Sequence, residues 1–322
     1  MVVGIFQLWY NDGAKHEKDF CTHTHIRTYT LHPWCAHLLR CGAFDENKNI
    51  SVVTREDGSG TKAAFMKILG LKGKTDVSGV IVATGTAAVL QDVKGNPLAI
   101  GYDSLGYITD EVKVLKVDGI EPTLENIKNG SYKISRPLNV VYQESKVASE
   151  VNTAFLTFLQ SSDAQTIISD NGYVSTKEGA VVYAAIPGLS GEIAISGSTS
   201  LKPLMEKLAA KFEEMQSGVC VTVGGGGSGT GYNDAKNGVS DFGMISEAFN
   251  PSKADNCTYY EVTKDGTAVI VNKANTFDNI SLQVIITLSL KSRNYYGFGI
   301  IFFSLVACLS QIDCFLVIFS IE

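Results

Sequence analysis

Histidine is missing from this 322-residue chain after His37. A Ser–His–Asp relay therefore has no imidazole to draw on outside the first few dozen residues, which excludes triad chemistry from the bulk of the protein. Cysteine is missing between Gly42 and Val219, and the seven present form no paired framework, so disulfides are not expected to organise the core. Basic charge is in deficit, with 27 Lys and Arg against 33 Asp and Glu, a net charge of −6. No stripe is available to neutralise phosphates along a duplex, and nucleic acid is excluded as a general partner. A few local donors can still hold a small anion, because a distant field is screened. None of the Gly-rich turns carries the Gly-Lys-[Ser/Thr] of a nucleotide phosphate loop, which argues against an ATPase. The first 49 residues lack the basic start, apolar core and small-residue cleavage site of a secretory signal.

What the chain has instead is one kind of junction, strand to turn to helix, three times over. The run Ile50 to Val53 reads as a buried strand, and Lys62 to Leu69 as an amphipathic helix. Between them lies Thr54-Arg55-Glu56-Asp57-Gly58-Ser59-Gly60-Thr61. First-turn amides lack intrahelical partners and the helix dipole is positive there, so the turn is ready for an anion. Arg55 adds a planar fork of donors suited to a tetrahedral oxyanion. The bland alternative makes Ser59 a simple helix cap. The second junction runs from Ile193–Ser196 through Gly197-Ser198-Thr199-Ser200 into a helix from Leu201 to Met215. The third runs from Val219–Val223 through Gly224–Gly231 into a helix ending near Asn237.

Elsewhere, strands are expected at Val80–Val82, Leu98–Tyr102, Val112–Val117, Arg136–Tyr142, Ser240–Met244 and Ala268–Val271. Helices are expected at Thr84–Val93, from Pro122 to Lys128, along the Val147–Phe158 stripe and again around Ala164–Ile168. This alternation indicates an α/β fold with a largely parallel sheet.

Five segments result: an atypical leader at 1–45, a half at 46–183, a linker at 184–192, a second half at 193–284 and an apolar tail at 285–322. Cys21, His23, His25, His32, Cys35, His37 and Cys41 invite a zinc reading. No C-x₂₋₄-C pair precedes His32 and His37, however, and no metal site is expected. Residues 297–321 are long enough to span a bilayer, but Gln311 and Asp313 interrupt them. They read either as a membrane segment or as an off-frame end.

Arg55-Glu56-Asp57-Gly58-Ser59-Gly60-Thr61, Ile100-Gly101-Tyr102, Ile195-Ser196-Gly197-Ser198-Thr199-Ser200, Gly226-Gly227-Ser228-Gly229 and Ser240-Asp241-Phe242-Gly243 together resemble the phosphate-binding protein of bacterial ABC phosphate importers. The resemblance covers about residues 46–284 and implies a two-lobed fold of the periplasmic-binding-protein type 2 class. It also implies a permuted order, since the segment like 193–284 comes first in that family and the segment like 46–183 second. A broken tandem of two modules would account for this. One lobe is then expected mainly from residues 50–110, the other mainly from 193–272 with help from 111–183.

By the same resemblance, Arg55, Ser59, Gly60 and Thr61 would donate to phosphate from one lobe, and Thr199, Ser200 and Ser228 from the other. Leu201 would lend its backbone N–H. Asp241 would accept the proton of the ligand, which sulfate lacks at neutral pH. The expected function is a non-enzymatic, extracytoplasmic, monomeric receptor that hands inorganic phosphate to a membrane permease, with no cofactor. Three rivals stay open. One is a fragment whose halves never pair. Another is a receptor for a different oxyanion. The third is a serine-dependent hydrolase using the Ser-x-x-Lys spacing of Ser59 and Lys62, with Ser169-Asp170-Asn171 as a second echo.

Overall fold

The computed structural model describes residues 44–45 and 48–290. The Cys/His-rich run up to Cys41 and the apolar segment 297–321 lie outside them. Among the described residues no helix is long and apolar enough to cross a membrane, and Cys220 and Cys257 are free thiols.

The chain builds one lobe, crosses to build a second, and returns to complete the first. The first lobe comprises β1 (Ser51–Arg55), α1 (Gly60–Ile68), β2 (Ile81–Ala83), α2 (Thr86–Gly95), β3 (Ala99–Ser104), β4 (Val112–Val114), β5 (Lys116–Val117) and α3 (Leu124–Lys128). The crossing is made at the start of β6 (Ser135–Tyr142). The second lobe adds α4 (Glu144–Val147), α5 (Glu150–Leu159), α6 (Ser162–Asp170), β7 (Ser190–Gly197), α7 (Lys202–Met215), β8 (Gly218–Gly226), α8 (Ser228–Lys236) and β9 (Phe242–Ile245). A 15-residue strand, β10 (Thr258–Asn272), carries the chain back, and β11 (Asn279–Ile280) and α9 (Leu282–Leu290) close the first lobe.

The sheet order is β2-β1-β3-β10-β6-β9-β7-β8, with β4 on the other side of β10. Within it lie two copies of one pattern. β2-β1-β3 and β8-β7-β9 are each parallel, with the first strand of the set in the middle. Each set is then flanked by an antiparallel strand, β10 beside β3 and β6 beside β9. β10 serves both lobes, pairing β6 through Thr258–Gly266 and β3 through Thr267–Val271. The hydrophobic cores respect this division. The largest draws only on residues between Leu138 and Val262. Two others, apart from Val174, draw on residues before Ser135 and after Gly266.

Several expectations shift. The halves do pair, but the division falls elsewhere: Val112 to Ile134 and Thr267 to Leu290 belong with the first lobe. The run Val112–Val117 breaks at Leu115, whose N–H turns to Val269 while Lys116–Val117 pairs β11. β8 continues through Gly226, because Gly226 is still in register with Gly197, so the run Gly224–Gly231 divides into strand up to Gly226, a cap at Gly227 and helix from Ser228. β10 begins ten residues before Ala268, because Thr258–Gly266 pairs β6 along its length, with a register shift between Glu261 and Thr263. α9 crosses the expected boundary at 284, and its Val284, Ile285 and Leu288 are buried against the first lobe.

Candidate functional site

In a parallel sheet the strands deliver helix N-termini to one end, and here two such ends face each other across the lobes. Four helices of nine residues or more begin there: α1 at Gly60, α2 at Thr86, α7 just beyond Ser200, and α8 at Ser228. α2 and α8 start alike. Gly85 (φ 89°, ψ 166°) and Gly227 (φ 88°, ψ 167°) occupy the cap position in a left-handed conformation that only glycine adopts freely, and neither has a side-chain cap. α1 is capped by Ser59, whose hydroxyl accepts from the Lys62 N–H, as the bland reading anticipates.

Arg55, at the end of β1, is almost fully buried, at 1% exposure. A guanidinium so placed must be paired. Glu56 holds it from one side, with Nε to Oε2 at 2.9 Å and Nη2 to Oε1 at 3.0 Å. Burial raises the Glu56 pKa, but hydrogen bonds from Arg55 and the Gly85 N–H outweigh it, and the net shift is downward. Asp103, at the end of the adjoining β3, stands 4.0 Å from Arg55 Nη1. The remaining Arg55 hydrogens point at hydroxyls, Nη1 donating to Thr86 Oγ1 (3.3 Å) and Nη2 to Thr199 Oγ1 (3.0 Å).

The two walls meet. Thr61 and Ser200 share a hydrogen bond of 2.9 Å, and Thr86 lies 3.2 Å from the Thr199 hydroxyl and 3.3 Å from that of Ser200. The Gly229 N–H donates to the Gly58 carbonyl at 3.0 Å. Gly60 packs so closely against Ser228 and Ser246 that a Cβ there would lie 2.8 Å from Ser228 Cβ and Ser246 Oγ. The Ser246 N–H donates to Ser228 Oγ at 2.9 Å, and the two hydroxyls are 3.2 Å apart. Arg55, Gly60, Thr61, Thr199, Ser200 and Ser228 thus meet where the lobes touch, all but the half-buried Thr199 buried, with Thr199 on the guanidinium and Ser59 next to Gly60 as the cap of α1. The pairing that the fragment reading denies is present. The Leu201 N–H donates to Ser198 Oγ (3.2 Å).

Asp241 is not brought there. It stands at the start of β9, whereas the cluster lies beyond its end. Five residues of extended chain, about 16 Å, separate it from Ser246. Its Oδ2 accepts from the Ala194 N–H (2.9 Å), its Oδ1 from Asn152 Nδ2 (3.3 Å), and Lys146 Nζ is 3.5 Å from Oδ1. These contacts fasten β9 to β7 and α5, and the proton-accepting role cannot be exercised from that position. Thr86, Ser246 and Glu56 join the site without having been singled out. Thr84-Gly85-Thr86, opening a helix after a strand, carried the signal for Thr86; nothing comparable marks Ser246.

The Lys62 ammonium is engaged by carboxylates. Its Nζ is bound by Asp57 (2.9 Å) and Asp76 (2.6 Å). Partial burial acts to lower its pKa, the two carboxylates outweigh that, and the ammonium is held above its ordinary value. A lysine acting as general base must be neutral.

The PBP superfamily domain matches the chain over residues 34–163 and 183–288. Phosphate-binding protein PstS 2 of Streptococcus agalactiae serotype V is 35% identical over 243 residues, which span 73% of this chain and 82% of that protein. Phosphate-binding protein PstS 2 of Streptococcus pneumoniae serotype 4 is 33% identical over 240 residues, 72% of this chain and 81% of that one. Among solved structures, the phosphate-binding protein of a phosphate ABC transporter from S. pneumoniae TIGR4 matches with a TM-score of 0.62 at 32% identity, covering 77% of this chain and 98% of that one. The chain belongs to the PBP superfamily and, within it, to the family of the PstS phosphate-binding proteins.

Proposed function

We propose that this protein captures inorganic phosphate between its two lobes and delivers it to a membrane ABC importer outside the cytoplasm. The observation that carries the reading is the meeting of Arg55, Thr61 and Thr86 from one lobe with Thr199, Ser200, Ser228 and Ser246 from the other. Each hydroxyl in the cluster now satisfies another hydroxyl or the guanidinium. A tetrahedral oxyanion is an acceptor on every side, so it can take the donors of both lobes at once and is matched by the four converging helix N-termini. Binding and release are the whole activity in this reading. Ser59 acts as cap and donor, and no group acts as base.

The permuted order belongs to the same proposal. The family match falls in two segments that flank residues 164–182, and one covalent chain supplies both walls. Such a chain needs no second module to complete the cleft, so it acts as a monomer.

Titration calorimetry with phosphate is expected to give saturable binding. Arg55→Ala should weaken it at least about a hundredfold, since it removes the cation and two charge-assisted donors, each worth about 1.5–3 kcal/mol. Sulfate, titrated in parallel, separates the classes of ligand. If sulfate binds as well as phosphate, the site reads any tetrahedral dianion and the phosphate assignment fails.

A further inference from the structure

The charges around Arg55 do not leave it free for an anion. Glu56 takes Nε and Nη2, and Asp103 faces Nη1. With both carboxylates ionised, the group carries a net negative charge before any ligand arrives. The neighbouring cation, Arg136 on β6, is bound to Asp265 on β10 (Nη2 to Oδ2, 3.1 Å) and adds nothing net. Asp103 is fully buried. Its Oδ1 accepts from the Ser104 N–H at 2.8 Å, while its Oδ2 has no hydrogen-bond partner. The groups that face it are Arg55 from β1, Arg136 from β6, Asp265 from β10 and Tyr173 from the segment after α6.

We infer that Asp103 is the residue that sets which charge state the cleft accepts: phosphate binds when Asp103 is protonated, and binding at alkaline pH draws a proton onto this carboxyl. The step balances as phosphate plus one proton from solvent entering the cleft, with no bond made or broken in the ligand. Asp103 acts through Arg55, as a positioning residue whose neutral form leaves the guanidinium to the ligand. Burial pushes its pKa up to about 7, against the opposing pull of Arg55, so the switch falls in the physiological range. This inference rests on the phosphate reading and deepens it.

Linkage fixes the sign. In the free protein Asp103 is protonated below about pH 7 and ionised above it. The protonated form binds the anion, so affinity falls by up to about tenfold per pH unit above that point. Asp103→Asn imitates the protonated form at every pH. It is therefore expected to match the wild type at pH 6 and to bind phosphate about tenfold or more tighter at pH 8.5. The second ionisation of phosphate is common to both proteins, so the ratio of the two Kd values isolates Asp103. Calorimetry in buffers of different ionisation enthalpy should find up to about one more proton taken up per phosphate by the wild type at pH 8.5, and no excess at pH 6.

A ratio that is the same at both pH values, or a variant weaker at both, overturns the inference and leaves the phosphate reading standing. Failure of the wild type to bind phosphate at either pH overturns both. Carbon-13 NMR of the aspartate carboxyls gives a measurement on the unaltered protein. One carboxyl should titrate near neutrality and move to higher pH under saturating phosphate; its absence overturns the inference even if the variant does not fold.

Discussion

Gly60→Ala is expected to weaken phosphate binding more than a hundredfold by holding the two lobes apart, at no more than a modest cost to the folding of either lobe. The position opens α1, and alanine is itself a good helix former, so the helix does not oppose the change. The three atoms nearest to the added methyl all belong to the second lobe. The obstruction comes from across the cleft, where Ser228 Cβ and Ser246 Oγ would lie 2.8 Å from it and the Ser228 hydroxyl closer still. Ordinary contact between such atoms needs about 3.5–4 Å. The lobes must therefore stand about an ångström further apart, and the donors of the second lobe no longer reach a ligand seated on Arg55. Two lost charge-assisted hydrogen bonds suffice for the stated loss. Titration calorimetry and a thermal melt on the same sample test it. Phosphate affinity within about threefold of the wild type would mean that the site does not depend on this contact between the lobes.

The same geometry explains which parts of the molecule could be read in the sequence. Arg55, Ser59, Gly60, Thr61, Thr199, Ser200 and Ser228 lie at strand-to-helix turns, where glycine, hydroxyls and a following amphipathic helix leave a local signature. Their meeting is not local, and only the family resemblance suggested it. Asp241 shows the limit of a short string. Ser240-Asp241-Phe242-Gly243 does enter a buried strand, but a strand has two ends, and the string does not say which one faces the ligand. Ser246, at the other end, follows the buried run Phe242–Ile245 without a turn signal of its own. Asp103 was hidden for a different reason. Within Ile100-Gly101-Tyr102-Asp103-Ser104 it looks like a turn residue closing a strand, and only the parallel pairing of β1 with β3 sets it beside Arg55. The expected strand Ala268–Val271 is only the apolar end of β10, because the charged Lys264 and Asp265 interrupt the apolar pattern although Asp265 is buried against Arg136.

That pair carries the largest expected effect on stability. Arg136 and Asp265 face each other across the β6–β10 pairing where the chain passes between lobes, and both are almost fully buried. Arg136 also donates from Nη1 to the Ser246 carbonyl at 3.0 Å, tying the crossing to the tip of β9. Arg136→Ala is expected to cost about 3–5 kcal/mol at neutral pH, because it leaves the Asp265 carboxylate buried without a counter-ion. The pH dependence distinguishes this cause from simple loss of packing. Burial already raises the Asp265 pKa, with Arg136 as the main opposing influence. Without Arg136 it rises further. A carboxyl whose folded pKa exceeds its unfolded value contributes stability that is complete below the unfolded value and lost as pH rises through the folded one. The deficit of Arg136→Ala should therefore be largest at pH 8 and shrink towards pH 4.5, as Asp265 takes up a proton in the folded state. Urea denaturation at the two pH values measures it. Adding Asp265→Asn to Arg136→Ala should recover part of the loss at pH 8 and little at pH 4.5. Equal deficits at both values, with no recovery in the double variant, would assign the cost to the cavity left by the side chain instead of to the stranded charge.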